Sequence, residues 1–197
     1  MSEITSQTVY FKTPGLENTQ RVLALARARA EALNIKTALV ATTSGAAAIE
    51  AAKILAGFDV VAVTHSYGFK EHDVAELTPE NCAALNDLGV RILTCQHAFG
   101  GVGRAVRKRL DTYQIDEIIA YTLRIFGQGM KVVAEIALMA SDAGLVSTTD
   151  PVVAIAGTGH GADTAVILRP TNAQTFFDLK ILEIICMPSP AHPAFEP

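Results

Sequence analysis

Tryptophan is missing from this chain, and its four tyrosines and eight phenylalanines make up only 6% of 197 residues. A core so poor in large rings has to be filled by aliphatic side chains, and half of the composition is hydrophobic, mostly alanine, valine, isoleucine and leucine. That mix suits helices packed on a buried parallel sheet better than an all-β sandwich. Cysteine is scarce too. Cys82, Cys95 and Cys186 are odd in number, far apart and without a CxxC pair, which excludes a disulfide framework or a structural zinc site and fits a reduced, cytoplasmic setting. There is no basic surplus: 16 lysines and arginines stand against 20 acidic residues, for a net charge of −4, so no nucleic-acid partner is expected. The one basic run, RAVRKR at 104–109, is short and expected on a solvated helix face. No apolar stretch reaches the roughly 18 residues that a spanning helix needs, so no membrane partner is expected. The opening MSEITSQTVYFK lacks the basic-then-apolar pattern of a signal peptide, and a cytoplasmic location is the expectation.

With 18% charged residues the chain is no candidate for disorder, and 197 residues suffice for one domain. No repeat or linker divides it. Residues 1–197 are therefore read as a single domain, with a proline-rich tail from about 187.

Asn18 and Thr19 are suitable caps for an alanine- and leucine-rich helix over 20–33, closed by Asn34. TALVA at 37–41 reads as a short strand. Ser44 then caps a helix running through Ala56, with Gly57 as its stop. DVVAVT at 59–64 is a second buried strand, 65–77 a polar loop, 79–88 a helix stopped at Gly89, and VRILT at 90–94 a third strand. The glycine-rich loop 99–103 opens a basic helix. The run 115–122 is ambiguous between strand and helix, because a short apolar run does not fix its period. A long helix follows over 128–143, stopped at Gly144, then strands at 152–156, 164–168 and 179–186. Strands alternating with helices, and two neighbouring strands late in the chain, imply a mostly parallel sheet covered on both faces.

Ligands of such sheets sit where loops leave the carboxyl ends of the strands. Five loops qualify: around Ser44, 65–69, 95–103, 122–131 and 157–163. In the first, Thr42-Thr43-Ser44-Gly45-Ala46 brings hydroxyls and unpaired backbone N–H groups to a helix N-terminus, a setting that binds phosphate or carboxylate without lysine. A plain cap by Ser44 is the alternative. The Walker pattern GxxxxGK[ST] is absent, so triphosphate hydrolysis is not implied. The loop 157–163 (GTGHGAD) follows a strand but leads into another strand, so a dinucleotide turn is not supported. A hairpin offering amides and the Thr158 hydroxyl, with Asp163 capping its own loop, is the reading. Arg124 and Lys131 flank a glycine-rich helix start at which a guanidinium can fork onto a phosphate, or at which both are ordinary surface charges, and Arg104 after Gly103 is a similar, second-ranked candidate. His65, His97 and His160 each fall near a strand end, yet no pair has helical metal-ligand spacing, and no metal is expected. Cys95 near His97 reads as an inert core cysteine before a thiolate–imidazole pair. Glu135, inside VVAEIALM, is either a half-buried carboxylate near the site or the partner of a cation. No serine–histidine–acid order stands out.

Several motifs in order carry a resemblance across nearly the whole chain: Tyr10-Phe11…Pro14-Gly15…Asn18-Thr19, Ser44-Gly45, Thr64-His65…Gly68-Phe69, Leu123-Arg124…Phe126-Gly127-Gln128-Gly129…Lys131, Asp142 to Leu145, and Gly157-Thr158…Gly161-Ala162-Asp163-Thr164. On these the sequence resembles the uncharacterised stand-alone proteins related to the C-terminal domain of pyruvate kinase. The resemblance implies a three-layer α/β/α sandwich whose mostly parallel, mixed sheet has antiparallel late strands. It implies that the Ser44-Gly45 turn corresponds to part of an allosteric sugar-bisphosphate site, with a late glycine-rich hairpin loop nearby. The catalytic barrel of pyruvate kinase is missing, so kinase activity is not inherited. The family is also associated with bound flavin mononucleotide (FMN).

The expected function is therefore binding of a phosphorylated small molecule, best FMN, by Thr43, Ser44, Gly45 and Ala46 with Arg124, Gln128 or Lys131, while His65, Phe69, Thr158 and Asp163 line the rest. An enzyme acting on a phosphorylated metabolite, and a regulatory or assembly domain without turnover, remain open alternatives, as does self-association.

Overall fold

The computed structural model describes residues 3–192. Seven strands form one sheet in the order β1-β7-β6-β5-β2-β3-β4, with β1 Val9–Phe11, β2 Thr37–Ala41, β3 Asp59–Val63, β4 Arg91–Leu93, β5 Val152–Ala156, β6 Thr164–Arg169 and β7 Lys180–Pro188. β2 pairs in parallel with both β3 and β5, β3 with β4, and β1 with β7. Only β6 runs against its neighbours β5 and β7, so the expected mixed sheet is observed, with the antiparallel element confined to one strand.

Side-chain alternation sends each strand into two cores. Ala38 and Val40 of β2, Val153 and Ile155 of β5 and Ala165 and Ile167 of β6 pack with α1 (Thr19–Ala32), α2 (Ala46–Ile54) and Leu85 of α3 (Pro79–Asp87). Leu39, Ala154, Val166 and Leu168 face the other way, against Val133, Ile136, Ala137 and Ala140 of α6 (Gln128–Asp142). Burial on both faces is why these strands read as continuous apolar runs. Outside α6 lie α5 (Ile115–Leu123) and α4 (Gly101–Leu110), and α4 has no fully buried residue.

In four places the structure departs from, adds to or decides between what the sequence suggests. The helix expected from Ser44 begins at Ala46: Gly45, at φ 99°, is its cap, and the bond that closes the turn runs from Gly45 N–H to Thr42 Oγ1 at 3.1 Å, not to Ser44. A side chain at Gly45 would come within 2.7 Å of Asn81 and Leu77, so glycine is needed for close approach as well as backbone angle. The ambiguous run 115–122 is helical, with Asp116 and Glu117 in its first turn, where negative charge is favoured. β1 was not expected at all, because three residues carry no period of their own and gain their pairing from β7. Finally, β7 continues to Pro188, past the expected end at 186, and residues 193–197 of the expected proline-rich tail lie outside the described residues.

One buried carboxylate ties the chain's beginning to the β5–β6 hairpin. Asp163, with no exposure, accepts from Gly15 N–H (3.1 Å), Thr158 N–H (2.9 Å) and the Thr164 hydroxyl (2.8 Å). Removing it takes the acceptor from two partly buried amide bonds and from the buried Thr164 hydroxyl, each bond worth about 1 kcal/mol or more. Asp163→Ala should lower the unfolding free energy by about 3 kcal/mol in urea titration, with Asp163→Asn intermediate; an unchanged midpoint would contradict this role.

Candidate functional site

β2 and β5 lie side by side, but their chains part at the carboxyl ends. β2 leads into α2 on one face, and β5 turns through 157–163 into β6. Such a point of divergence leaves a crevice. A cleft of about 600 Å³ occupies it, lined by Thr42, Thr43, Ser44, Ala46, His65, Phe69, His97, Arg104, Arg124, Gln128, Lys131, Glu135 and His160 among others. All five loops selected from the sequence contribute, which is the main expectation the tertiary structure brings together.

The turn at 42–46 is well braced. Ser44 C=O accepts from Asn81 Nδ2 at 2.8 Å, and Thr42 is buried with its hydroxyl oxygen committed to Gly45. Ala46 and Ala47 begin α2, where N–H groups have no intrahelical acceptor, and both line the cleft with Thr43 and Ser44. The first turn of α6 reaches the same space through Gln128 and Lys131, so two helix N-termini lend it positive character. Arg124 is held by Gln128 Oε1 at 2.7 Å and lies 5.1 Å from the Tyr121 ring.

Lys131 is no solvated point charge. It is buried, and its ammonium donates to Glu135 Oε2, one turn along α6. Glu135, also buried, takes Phe99 N–H on Oε1 at 3.1 Å, so the carboxylate is fixed between helix and loop. Burial pushes the Lys131 ammonium below its usual range; Glu135 opposes that shift, and Arg124 and Arg104 add to it. His97 Nδ1 lies 3.8 Å from Glu135 Oε2, and its Nε2 accepts from Ser66 N–H at 3.4 Å. That acceptance requires a neutral ring protonated on Nδ1.

Above His97 sits an aromatic stack. Phe69 lies nearly parallel to His97 (11°, centroids 4.8 Å apart), 4.3 Å from the His65 ring, and Arg104 lies 5.0 Å from the Phe69 centroid. The basic run at 104–109 is thus not wholly a solvated face: Arg104 lines the cleft, and Arg107 bonds Glu117 at 2.6 Å. His65 Nδ1 meets Glu76 Oε2 at 2.6 Å, and its ring centroid is 5.2 Å from that of His97. His160 is exposed on the cleft's hairpin side. Among the described residues no group of three potential metal ligands is placed to hold an ion.

Two expected lining residues are elsewhere. Thr158 is exposed on the hairpin and Asp163 is buried beneath it, and neither is on the cleft wall. Gly45 is likewise buried behind the turn. Cys95 bonds only Gln96 C=O, at 3.6 Å, with its thiol pushed up by burial, so it forms no pair with His97. Glu76 escaped the sequence reading, since its 11-residue separation from His65 follows no helical or strand period.

Burial holds the His97 imidazolium down, to a pKa of about 4. The folded value lies below the unfolded one of about 6.5, so the unfolded chain binds more protons between the two. The stability contributed by neutral His97 is complete above about pH 6.5 and is lost as pH falls toward 4, by at most about 3 kcal/mol. Urea titrations at pH 7 and pH 4.5 should show a smaller loss for His97→Gln than for the unaltered chain. Equal losses would place His97 in water.

The sequence matches the family model of the pyruvate kinase alpha/beta domain over residues 20–168. Solved structures similar to this chain include a pyruvate kinase from Cryptosporidium parvum, at 16% identity over 78% of this chain and 23% of that one with a TM-score of 0.42. Another is Cryptosporidium parvum pyruvate kinase in complex with ADP, at 15% identity over 76% of this chain and 22% of that one with a TM-score of 0.39. The chain therefore matches less than a quarter of the length of these enzymes. No helix of the described residues is long and apolar enough to cross a membrane. With three quarters of its length under the family model, this chain belongs to the pyruvate kinase alpha/beta domain family.

Proposed function

We propose that the cleft binds a phosphorylated small molecule, with FMN as the best candidate, and has no pyruvate kinase activity. The observation that carries this reading is the braced helix start at 43–47, whose hydroxyls and unpaired amides face a cleft entered by a second helix N-terminus. Arg124, pre-positioned by Gln128, is the favoured cationic partner, because the charge of Lys131 is already compensated by Glu135. A planar ring system fits the rest: Phe69, His97 and Arg104 already stack flat groups on one another, Val132, Ile136 and Met139 supply an apolar wall, and about 600 Å³ lies within the usual range for small-molecule sites. Bound flavin would supply redox chemistry; this chain's residues would bind and orient it.

A second reading, an enzyme acting on a phosphorylated metabolite, is favoured by the His65–Glu76 pair. The carboxylate accepts a hydrogen bond from Nδ1–H, a tautomer that leaves the Nε2 lone pair free to act as a base at the cleft that His65 lines. Turnover lost on His65→Ala would select it. A regulatory or assembly role would show instead as a ligand-dependent change of oligomer in light scattering.

Ala46→Asp separates the phosphate anchor from fold stability. A carboxylate in the first helical turn is favourable to the helix but repels an anion there. FMN affinity, followed by quenching of flavin fluorescence, should fall at least about tenfold (about 1.4 kcal/mol) with the melting temperature unchanged or raised. The unaltered protein should bind FMN more tightly than riboflavin by a similar factor. Equal affinity for the two would remove the phosphate from the turn, and binding of neither would remove flavin.

A further inference from the structure

Lys131 is placed as an acceptor of carbonyl groups. Its side chain is 5% exposed yet stands on the cleft wall, in the first turn of α6, where a helix disfavours a cation. An ammonium has three donors, and among the described residues Lys131 has one protein acceptor, Glu135. A second anion is a poor occupant for the remaining positions, since the Glu135 carboxylate already neutralises the charge and repels it. A neutral, polarised group suits them better. Glu135 is also fixed through Oε1 by Phe99 N–H, while His97 Nδ1 lies 3.8 Å from Oε2, the oxygen that takes the ammonium, so it can accept a proton from the amine without swinging away.

We infer that Lys131 forms an imine with a phosphorylated aldehyde or ketone whose phosphate occupies the turn at 43–47. The inference rests on the phosphate anchor of the proposed function and is independent of its flavin part. In the step, Glu135 accepts one ammonium proton and the free amine adds to the carbonyl carbon. The new C–N bond forms as the C=O π bond opens to an alkoxide, which takes a second proton from the nitrogen and becomes a hydroxyl. Glu135 returns its proton as that hydroxyl leaves as water. Ammonium and carbonyl become iminium and water, with no oxidant or reductant consumed. Burial of Lys131, which holds its amine below the usual range, works in the same direction.

The probe is pyridoxal 5′-phosphate, a phosphorylated aldehyde, added to the full chain in equimolar amount, trapped with borohydride and located by peptide mass spectrometry. Lys12, Lys36, Lys53, Lys70, Lys108 and Lys180 are internal controls in the same molecule. Lys131 should carry the adduct at least about tenfold more than any control. Excess inorganic phosphate should suppress it, and Glu135→Gln should slow its formation at least about tenfold, as loss of a proton acceptor does. Lys131→Arg, checked for folding by circular dichroism, should carry none. Label spread over the control lysines with Lys131 unmodified in the unaltered protein overturns the inference. The two readings separate through phosphate binding measured by 31P NMR. Phosphate bound with Lys131 unlabelled leaves the anchor and removes the imine. Lys131 labelled without protection by phosphate leaves the imine and removes the anchor.

Discussion

The Glu135 carboxylate, 3% exposed in the interior of α6, holds the floor of the cleft together. A buried charge of this kind is tolerable only when its oxygens are occupied, and three groups converge on it: the Lys131 ammonium, Phe99 N–H and, at 3.8 Å, His97 Nδ1. Through Phe99 it fixes the 95–100 loop against α6. Gly100 then caps α4, whose Arg104 reaches Phe69, and His97 receives Ser66 N–H from the long 65–77 loop. Two loops that would otherwise be tethered only at their ends thus acquire defined positions over the same wall.

The sheet sets where that wall stands. With β6 alone reversed, six strands present their carboxyl ends to one edge, and the parting of β2 and β5 leaves room there. α2 starts from one side of the opening and α6 from the other face of the sheet. Their N-terminal dipoles add in the same space, which gives the cleft a local positive character in a chain whose net charge is −4.

Most elements were legible because both faces of the sheet are buried. β2 and β5 were read with their observed bounds, since uninterrupted apolar runs between glycine and polar breaks admit few other arrangements. What failed was local chemistry that depends on neighbours. Ser44 looked like a cap, but Leu77 and Asn81 crowd Gly45 and move the cap one residue on, with Thr42 closing the turn. Asp163 and Thr158 looked like lining residues. Asp163 is drawn under the hairpin by three donors, one of them Gly15, 148 positions away.

The sequence by itself determined the fold class, the positions of nearly all strands and helices, and the five loops at one edge, because these follow from the short-range periodicity of apolar residues and from glycine and capping residues at element ends. The turn at 42–46 that leads into a helix start belongs to the same set, being a local feature of one strand end. Only the tertiary structure decided that Lys131 is buried and paired, that His97 stays neutral, that Phe69 stacks on His97 with Arg104 over its ring, and that Glu76 orients His65. Each of these rests on contacts between segments separated along the chain, or on the loss of water around a charge, and neither is written in the local pattern of residues.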